Sequence, residues 1–508
     1  MEEEKLKIIV TVFTFIVIAL PFLNIIFNLF ISNFSLSDLL ILLDHRLIKI
    51  FLRSVGTCLL VGILSTLVGF LVAYFLEFTD VKYKKIWRWL LFSPFIIPTY
   101  LFTFSWLGFL GKRGTFTTLT FFNVPINIYN IPFLVFILTL SLFPIPMFLI
   151  SLGMRSIDEN ILNAGRISNE KKVFKKIILP LMKPYLIVST FIVFSLAMSE
   201  YTTPSFLRIN TYQNEVFIQL AAFYNVKRAI IYSVPLLLLT SLLSLSSFKT
   251  IGMKYATITG SFKRRRFVKN LSKLSKVFVY LFFSLLLFFS LIVPTIMLLI
   301  ESKLSLFYGF SKAKNEILNS LIVSVPSSFF ITFFSFFIFY FFKNSRILDI
   351  LIVAPLTLSA PVIAISLISL YSNTPLYGTL ALLILGYTIR FLPFSILTLS
   401  PFVARISKSL EDSAKLVTQN FFKVFLKILL PLSKNGFVSS FVLAFILCLT
   451  EVSLTLMLAP AGFQTLPMRI EIVMHYANYR LVASLTLILL SLIFPLYLIY
   501  CTVSRWDT

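Results

Sequence analysis

Two glutamates, Glu200 and Glu451, each stand twenty residues beyond a Leu-Pro pair, Leu179-Pro180 and Leu430-Pro431. Both the acids and the prolines repeat at an offset of 251 residues. Each glutamate falls in a long apolar stretch, where an ionised carboxylate is costly and persists only beside water or an internal partner. Two acids at one depth suit a path for a cationic solute. They suit equally a structural pair, each bonded to nearby backbone or to a residue such as Arg390, which lies inside another apolar stretch. No nucleophile–base constellation accompanies them. His45 and His475 are far apart, and Cys58, Cys448 and Cys501 have no C-x-x-C spacing, so neither a disulfide framework nor a metal site is indicated. The G-x-x-x-x-G-K-[ST] phosphate loop is missing, so the chain is not expected to be an ATPase or any other enzyme, and no cofactor is expected in it.

The elements that must hold these residues are set by composition. The 508 residues are 58% hydrophobic and 13% charged, with a mean hydropathy of +0.95, too apolar to cover a water-soluble surface. Runs long enough to cross a hydrocarbon core as helix recur twelve times. They lie near 8–30, 55–76, 90–110, 131–150, 185–204 and 229–247, then 277–300, 318–342, 348–371, 379–400, 436–458 and 482–502. The basic stretch around Lys263-Arg264-Arg265-Arg266 divides six from six, giving one repeat over 1–262 and another over 263–508. Arg53-Ser54 and Asn319-Ser320 open the second helix of each repeat, and Pro94 and Pro355 sit inside the third. Six crossings return the chain to the same face, so the repeats are parallel, related by an axis along the membrane normal. The net charge of +25 is concentrated on alternate loops, which places both termini in the cytoplasm. Its partner is then anionic lipid rather than nucleic acid. The N-terminal MEEEKLK and its apolar run lack a small-residue cleavage site and read as an uncleaved first helix.

Between the fourth and fifth helices of each half lies a basic loop. The second reads Asp412-Ser413-Ala414, then Thr418, then Ile428, Leu430 and Pro431. The first keeps Ile177, Leu179 and Pro180 but is two residues shorter upstream. The repeat offset there sets Asn163-Ala164-Gly165 over Asp412-Ser413-Ala414, and Asn169 over Thr418. Small residues on one helical face seat closely in a partner's groove, and the proline fits the first turn of the next helix. The second loop has the spacing of the "EAA" loop of ATP-binding-cassette importer permeases, which it resembles with Asp, Ser and Thr in place of Glu, Ala and Gly. The resemblance implies a turn between two short helices at the Gly position, here Thr418.

The segment after the fifth helix of the second half sharpens the resemblance. Glu451, Ser453, Thr455, Leu456, Gly462, Thr465, Leu466, Arg469, Ile470, Met474, His475 and Tyr476 stand as in the fused permeases of the ferric-iron importer family, with its thiamine and aminoethylphosphonate relatives. Glu200, Pro204 and Gln219 match the corresponding stretch of the first half, and Gly111–Gly114 and Tyr387–Pro393 fit as well. The resemblance implies an all-α, type I importer permease in the bacterial inner membrane. It also implies two nucleotide-binding ATPase subunits carrying ATP and Mg on the cytoplasmic loops, an extracytoplasmic solute-binding protein, and ferric iron as the leading substrate. The intact spacing of the second loop makes it the expected stronger docking element. A secondary transporter driven by an ion gradient through Glu200 and Glu451 is the alternative, and it would have no need of paired docking loops.

Overall fold

The computed structural model describes residues 2–21, 23–24, 40–111, 127–157, 159–251, 270–303, 306–343, 345, 347–348, 351–352, 355, 358–418, 420–476 and 478–503. The expected boundary at 262/263 and the basic run at 263–266 lie outside them. Every element among the described residues is helical. In the first half these are α1 (Glu2–Thr14), α2 (His45–Phe78), α3 (Lys84–Ile96), α4 (Thr99–Leu110), α5 (Ile131–Leu142), α6 (Pro144–Arg155), α7 (Glu159–Val173), α8 (Leu179–Ser199), α9 (Thr202–Phe206), α10 (Tyr212–Ala221) and α11 (Val226–Ile251). The second half follows with α12 (Lys273–Ser302), α13 (Lys314–Phe342), α14 (Ala360–Tyr371), α15 (Leu380–Val403), α16 (Lys408–Val417), α17 (Leu430–Thr450), α18 (Ser453–Leu458), α19 (Leu466–His475) and α20 (Tyr479–Val503).

Seven helices among the described residues are long and apolar enough to span a membrane singly, and two bent pairs raise the number to nine. The three remaining expected spans carry α1, α11 and α14. The bends are departures from the straight spans expected. α3 and α4 meet at 90° at Ile97-Pro98, and α5 and α6 meet at 45° at Phe143. Proline accompanies both: Ile97, before Pro98, leaves the helical region at ψ 116°, whereas Phe143, before Pro144, stays helical and the bend there coincides with the N–H that the Pro144 ring lacks.

Proline also corrects the expected entry into the fifth helices. Pro180 and Pro431 stand in the first turn of α8 and α17, as expected, but no helix begins afresh there. Each follows a five-residue π-turn, Phe174–Ile178 or Phe425–Leu429, through which helix runs on unbroken. The same turn precedes Pro21, at Phe15–Ala19, and Pro294, at Phe288–Ile292. A proline inside a helix cannot donate to the carbonyl four residues back and its ring collides with that group, so the preceding turn widens.

α2 has no internal proline. Its Asp44 cap accepts from the Arg46 N–H at 3.0 Å, and Gly69 lets α6 approach so closely that a Cβ would lie 2.6 Å from the Met147 nitrogen. Arg53-Ser54 and Asn319-Ser320 do not open α2 and α13 as expected, because both helices start earlier. They bind another element instead. The Ser54 hydroxyl accepts the Tyr212 N–H at 3.0 Å and the Ser320 hydroxyl accepts the Leu466 N–H at 2.7 Å, so each holds the start of α10 or α19. Arg53 donates to the Asn210 carbonyl, and Asn319 donates to that of Gln464 at 2.9 Å.

Ion pairs reinforce both ends of α2 and α13, with polarity inverted between halves. At this end Arg46 meets Glu215 at 2.8 Å in the first half, whereas Glu316 faces Arg469 at 3.8 Å in the second. At the other end, the loop end, Glu77 takes Arg88 and Arg155 at 3.0 Å each. Lys343, at the same repeat position as Glu77, reaches Glu411 at 3.3 Å. One apolar core runs through both halves, and a smaller cluster around Phe70, Phe78, Leu162 and Ile178 gathers at the loop end of α2.

Candidate functional site: a cavity at the helix breaks and two elbow loops

Glu200 and Glu451 do not lie inside their helices, as the expected spans 185–204 and 436–458 have them. They end them. α8 stops at Ser199 and α17 at Thr450, and both glutamates have extended backbone, at ψ 116° and 125°. The break is locally compensated. Each carboxylate accepts an N–H that the following short helix leaves open, from Thr203 at 3.2 Å and from Leu454 at 2.9 Å.

Both acids line one cavity of about 150 Å³ between the halves, together with Thr99, Tyr100, Thr202 and Arg390. Its wall includes the α3–α4 break at Pro98 and the end of α5 at Leu142, so three interrupted helices of the first half converge there. The two acids differ in chemistry. Arg390 Nε meets Glu451 Oε2 at 3.0 Å, with both side chains largely buried, so the proposed counter-charge is in place for this glutamate. Glu200 has no cationic partner among the described residues. Its oxygens accept from the hydroxyls of Thr99, at 2.7 Å, and Thr202. With one arginine for two carboxylates, the cavity carries a formal excess of one negative charge. Among the described residues no three His, Cys, Asp or Glu converge as metal ligands.

Beside the cavity, the halves touch through residues whose pairing sequence reasoning did not find. Tyr201 of the first half donates to Glu471 Oε1 at 3.3 Å, and His475 Nε2 lies 3.5 Å from the same oxygen. The His475 ring also packs on Phe206, with centroids 5.1 Å apart. Its hydrogen bond to the Glu471 carboxylate raises the imidazole above its usual value, against the opposing effect of burial. Burial raises Glu471 above the ordinary carboxylate range, against its bonds from His475 and Tyr201.

The loops form elbows. In the second, α16 ends at Val417, Thr418 is extended at ψ 129°, and helix resumes at Phe421. This is the turn expected at Thr418. The first has no non-helical residue between α7 and α8, yet a Cβ on Gly165 would lie 2.2 Å from Ile177 Cδ1. Residues twelve apart in a straight helix are about 18 Å apart, so the chain doubles back between them. Asn163 and Ala164 are exposed and Gly165 half-buried. Asp412 and Ser413 are exposed and Ala414 buried. The alignment of the two triplets therefore agrees with their burial. Leu179, Pro180 and Pro431 are exposed, while Ile177, Ile428 and Leu430 are half-buried.

A duplicated aromatic seat holds each elbow. Phe174 packs on Tyr74 and Phe70, with centroids at 5.3 and 6.1 Å, and Phe425 packs on Phe336 at 5.0 Å. Tyr340, the repeat counterpart of Tyr74, packs on Phe421 with the rings tilted and centroids 5.6 Å apart, and donates to Glu411 Oε2 at 3.3 Å. The signal was present in the sequence: Tyr74 and Tyr340 share the 266-residue offset of Arg53-Ser54 and Asn319-Ser320.

The family of the binding-protein-dependent transport system inner membrane component matches residues 65–250 and 338–506. The Fe(3+)-transport system permease protein FbpB 2 of Haemophilus influenzae is 24% identical over 80% of this chain and 80% of its own length. The putative ferric transport system permease protein FbpB 1 of that organism is 23% identical over 90% of this chain and 77% of its own. The diacetylchitobiose uptake system permease protein DasC of Streptomyces coelicolor is 34% identical over only 21% of this chain and 39% of its own. Matched in both halves, the chain belongs to the inner-membrane components of binding-protein-dependent transport systems, as a fused two-repeat permease of the ATP-binding-cassette importer type.

Proposed function

We propose that this chain passes ferric iron, delivered by an extracytoplasmic binding protein, into the cytoplasm, driven by two separate ATPase subunits seated on the elbows 159–178 and 408–429. The loop side of the molecule is then cytoplasmic, with both termini, and the side bearing α10 and α19 is the outer face. The observation that carries the reading is the cavity between the halves, bounded by helix breaks and holding one uncompensated carboxylate, Glu200. Hard cations favour carboxylate and hydroxyl oxygens, and Glu200 with Thr99 and Thr202 offers both. The relatives whose names specify ferric transport span most of their own lengths on this chain, which supports iron over a sugar.

The test is reconstitution in vesicles with the binding protein and ATPase, measuring uptake of radioactive iron, thiamine and aminoethylphosphonate. Iron uptake that requires ATP and survives collapse of ion gradients is expected. Uptake that collapses with the gradient and ignores ATP would favour the secondary-transporter alternative. The chain alone is expected to hydrolyse no ATP and to copurify with a nucleotide-binding subunit.

A further inference from the structure

α13 is gripped at both ends. At its cytoplasmic end Tyr340 touches both limbs of the elbow: its hydroxyl bonds Glu411 of α16, while its ring packs on Phe421 beyond the turn. Lys343 completes the joint at 3.3 Å from Glu411, a carboxylate that is 7% exposed. At its outer end Ser320 and Asn319 bond the start of α19. α19 in turn carries Glu471 and His475, which meet Tyr201 and Phe206 of the other half. α13 stays helical through Pro326 over 29 residues, a rod of about 43 Å. In the first half α2 repeats the design. Tyr74 and Phe70 seat Phe174, and Ser54 bonds the start of α10. The inner joint differs, because Leu162, fully buried, occupies the repeat position of Glu411.

We propose that α2 and α13 are struts that carry the movement of the ATPase-bound elbows to the outer face. Glu411–Tyr340–Lys343 forms a polar inner joint in one half, Leu162 and Phe174 an apolar one in the other, and Ser320 and Ser54 the outer joints. The proposal rests on the coupling reading above and adds which helices transmit it. Glu411 and Ser320 are positioning residues and touch no solute. A joint made by an ion pair and hydrogen bonds holds one geometry, whereas an apolar seat tolerates sliding. The second elbow is therefore the tighter transmission.

The test uses the full permease–ATPase complex in nanodiscs, with Cys501→Ser and spin labels at Tyr224 and Tyr476, which are 84% and 78% exposed on the outer face of the two halves. ATP should shift the label distance in the parent complex. Glu411→Gln and Ser320→Ala should each abolish most of that shift while ATP hydrolysis continues, and uptake per ATP should fall roughly fivefold or more. Asn319→Ala, at a half-buried site, serves if Ser320→Ala lowers abundance. An unaltered shift in Glu411→Gln, or in the folded outer-joint variant, would overturn the strut, as would ATP-driven uptake with an unmoved outer face. A chain that binds no ATPase would overturn the coupling reading, and the strut with it.

Discussion

At the scale of single residues, the two glutamates that look equivalent in the sequence have separate duties. Glu451 is half of a buried ion pair, and removing one partner of such a pair strands the other at a cost of about 3–5 kcal/mol. Glu451→Gln is therefore expected to lower the melting temperature and abundance, whereas Glu200→Gln keeps its size and its bonds to rotatable threonine hydroxyls and should fold normally. Uptake at matched abundance should fall for Glu200→Gln. Equal thermal losses in the two variants would contradict this division. His475 gives a pH dependence. Its imidazole is raised above 6.5 in the fold, so its stabilising contact with Glu471 is complete below that pH and fades as pH rises through the raised value. The buried carboxyl of Glu471, also raised, acts with the same sign. Melting curves across mildly acid to alkaline pH should show stability declining, and His475→Gln should flatten the alkaline limb. A steeper limb in that variant would refute the assignment.

At the scale of elements, the loops show what a linear reading catches and misses. The turn at Thr418 and the small residue at Ala414 are what the resemblance to the importer loop implies, and Thr418 is extended and Ala414 buried in the structure. The π-turns do not, although every proline that causes one is visible. Whether a proline starts a helix, kinks it or widens a turn is decided by the helix that packing holds upstream. The breaks at Glu200 and Glu451 were missed because the apolar runs continue past them, although the residues that follow, Tyr201-Thr202-Thr203-Pro204 and Val452-Ser453, are weak helix formers. Gly165 supplies a test. Gly165→Val would drive a branched side chain into Ile177 and open the first elbow, at about 1–3 kcal/mol of overpacking. ATPase retained on the complex should fall on purification, and Ile177→Ala in the same chain should restore it. Failure of the rescue would mean that Gly165 matters only for backbone freedom.

At the scale of the molecule, duplication was legible because two Leu-Pro…Glu stretches at one offset are improbable in lipid-facing sequence, which needs only to be apolar. Arg390 was recognisable as a counter-charge because an arginine in a span must answer to something. Contacts across long separations were not legible. Tyr201 and Glu471 are 270 residues apart, and Glu411 has a leucine as its counterpart, so neither repetition nor spacing marks them.

The inverted ion pairs have a consequence for how the chain finds its partners while it is being made. Two halves descended from one unit carry nearly interchangeable docking faces, and the first is finished while the second is still emerging. If α2 took α19 in place of α10, Arg46 would face Arg469. If the elbow at 408–429 closed on α2, Glu411 would meet Glu77. Each wrong choice sets like charges together, at the loop end between two carboxylates that are buried, and each right one sets opposites together. Reversing Arg46 and Glu215 together would leave that pair intact but give both halves the same polarity. Such a chain should yield less monodisperse protein than one with both halves reversed, a difference visible by size-exclusion chromatography. The polarity thus works as a sorting label, telling each half of a duplicated membrane protein which helices are its own.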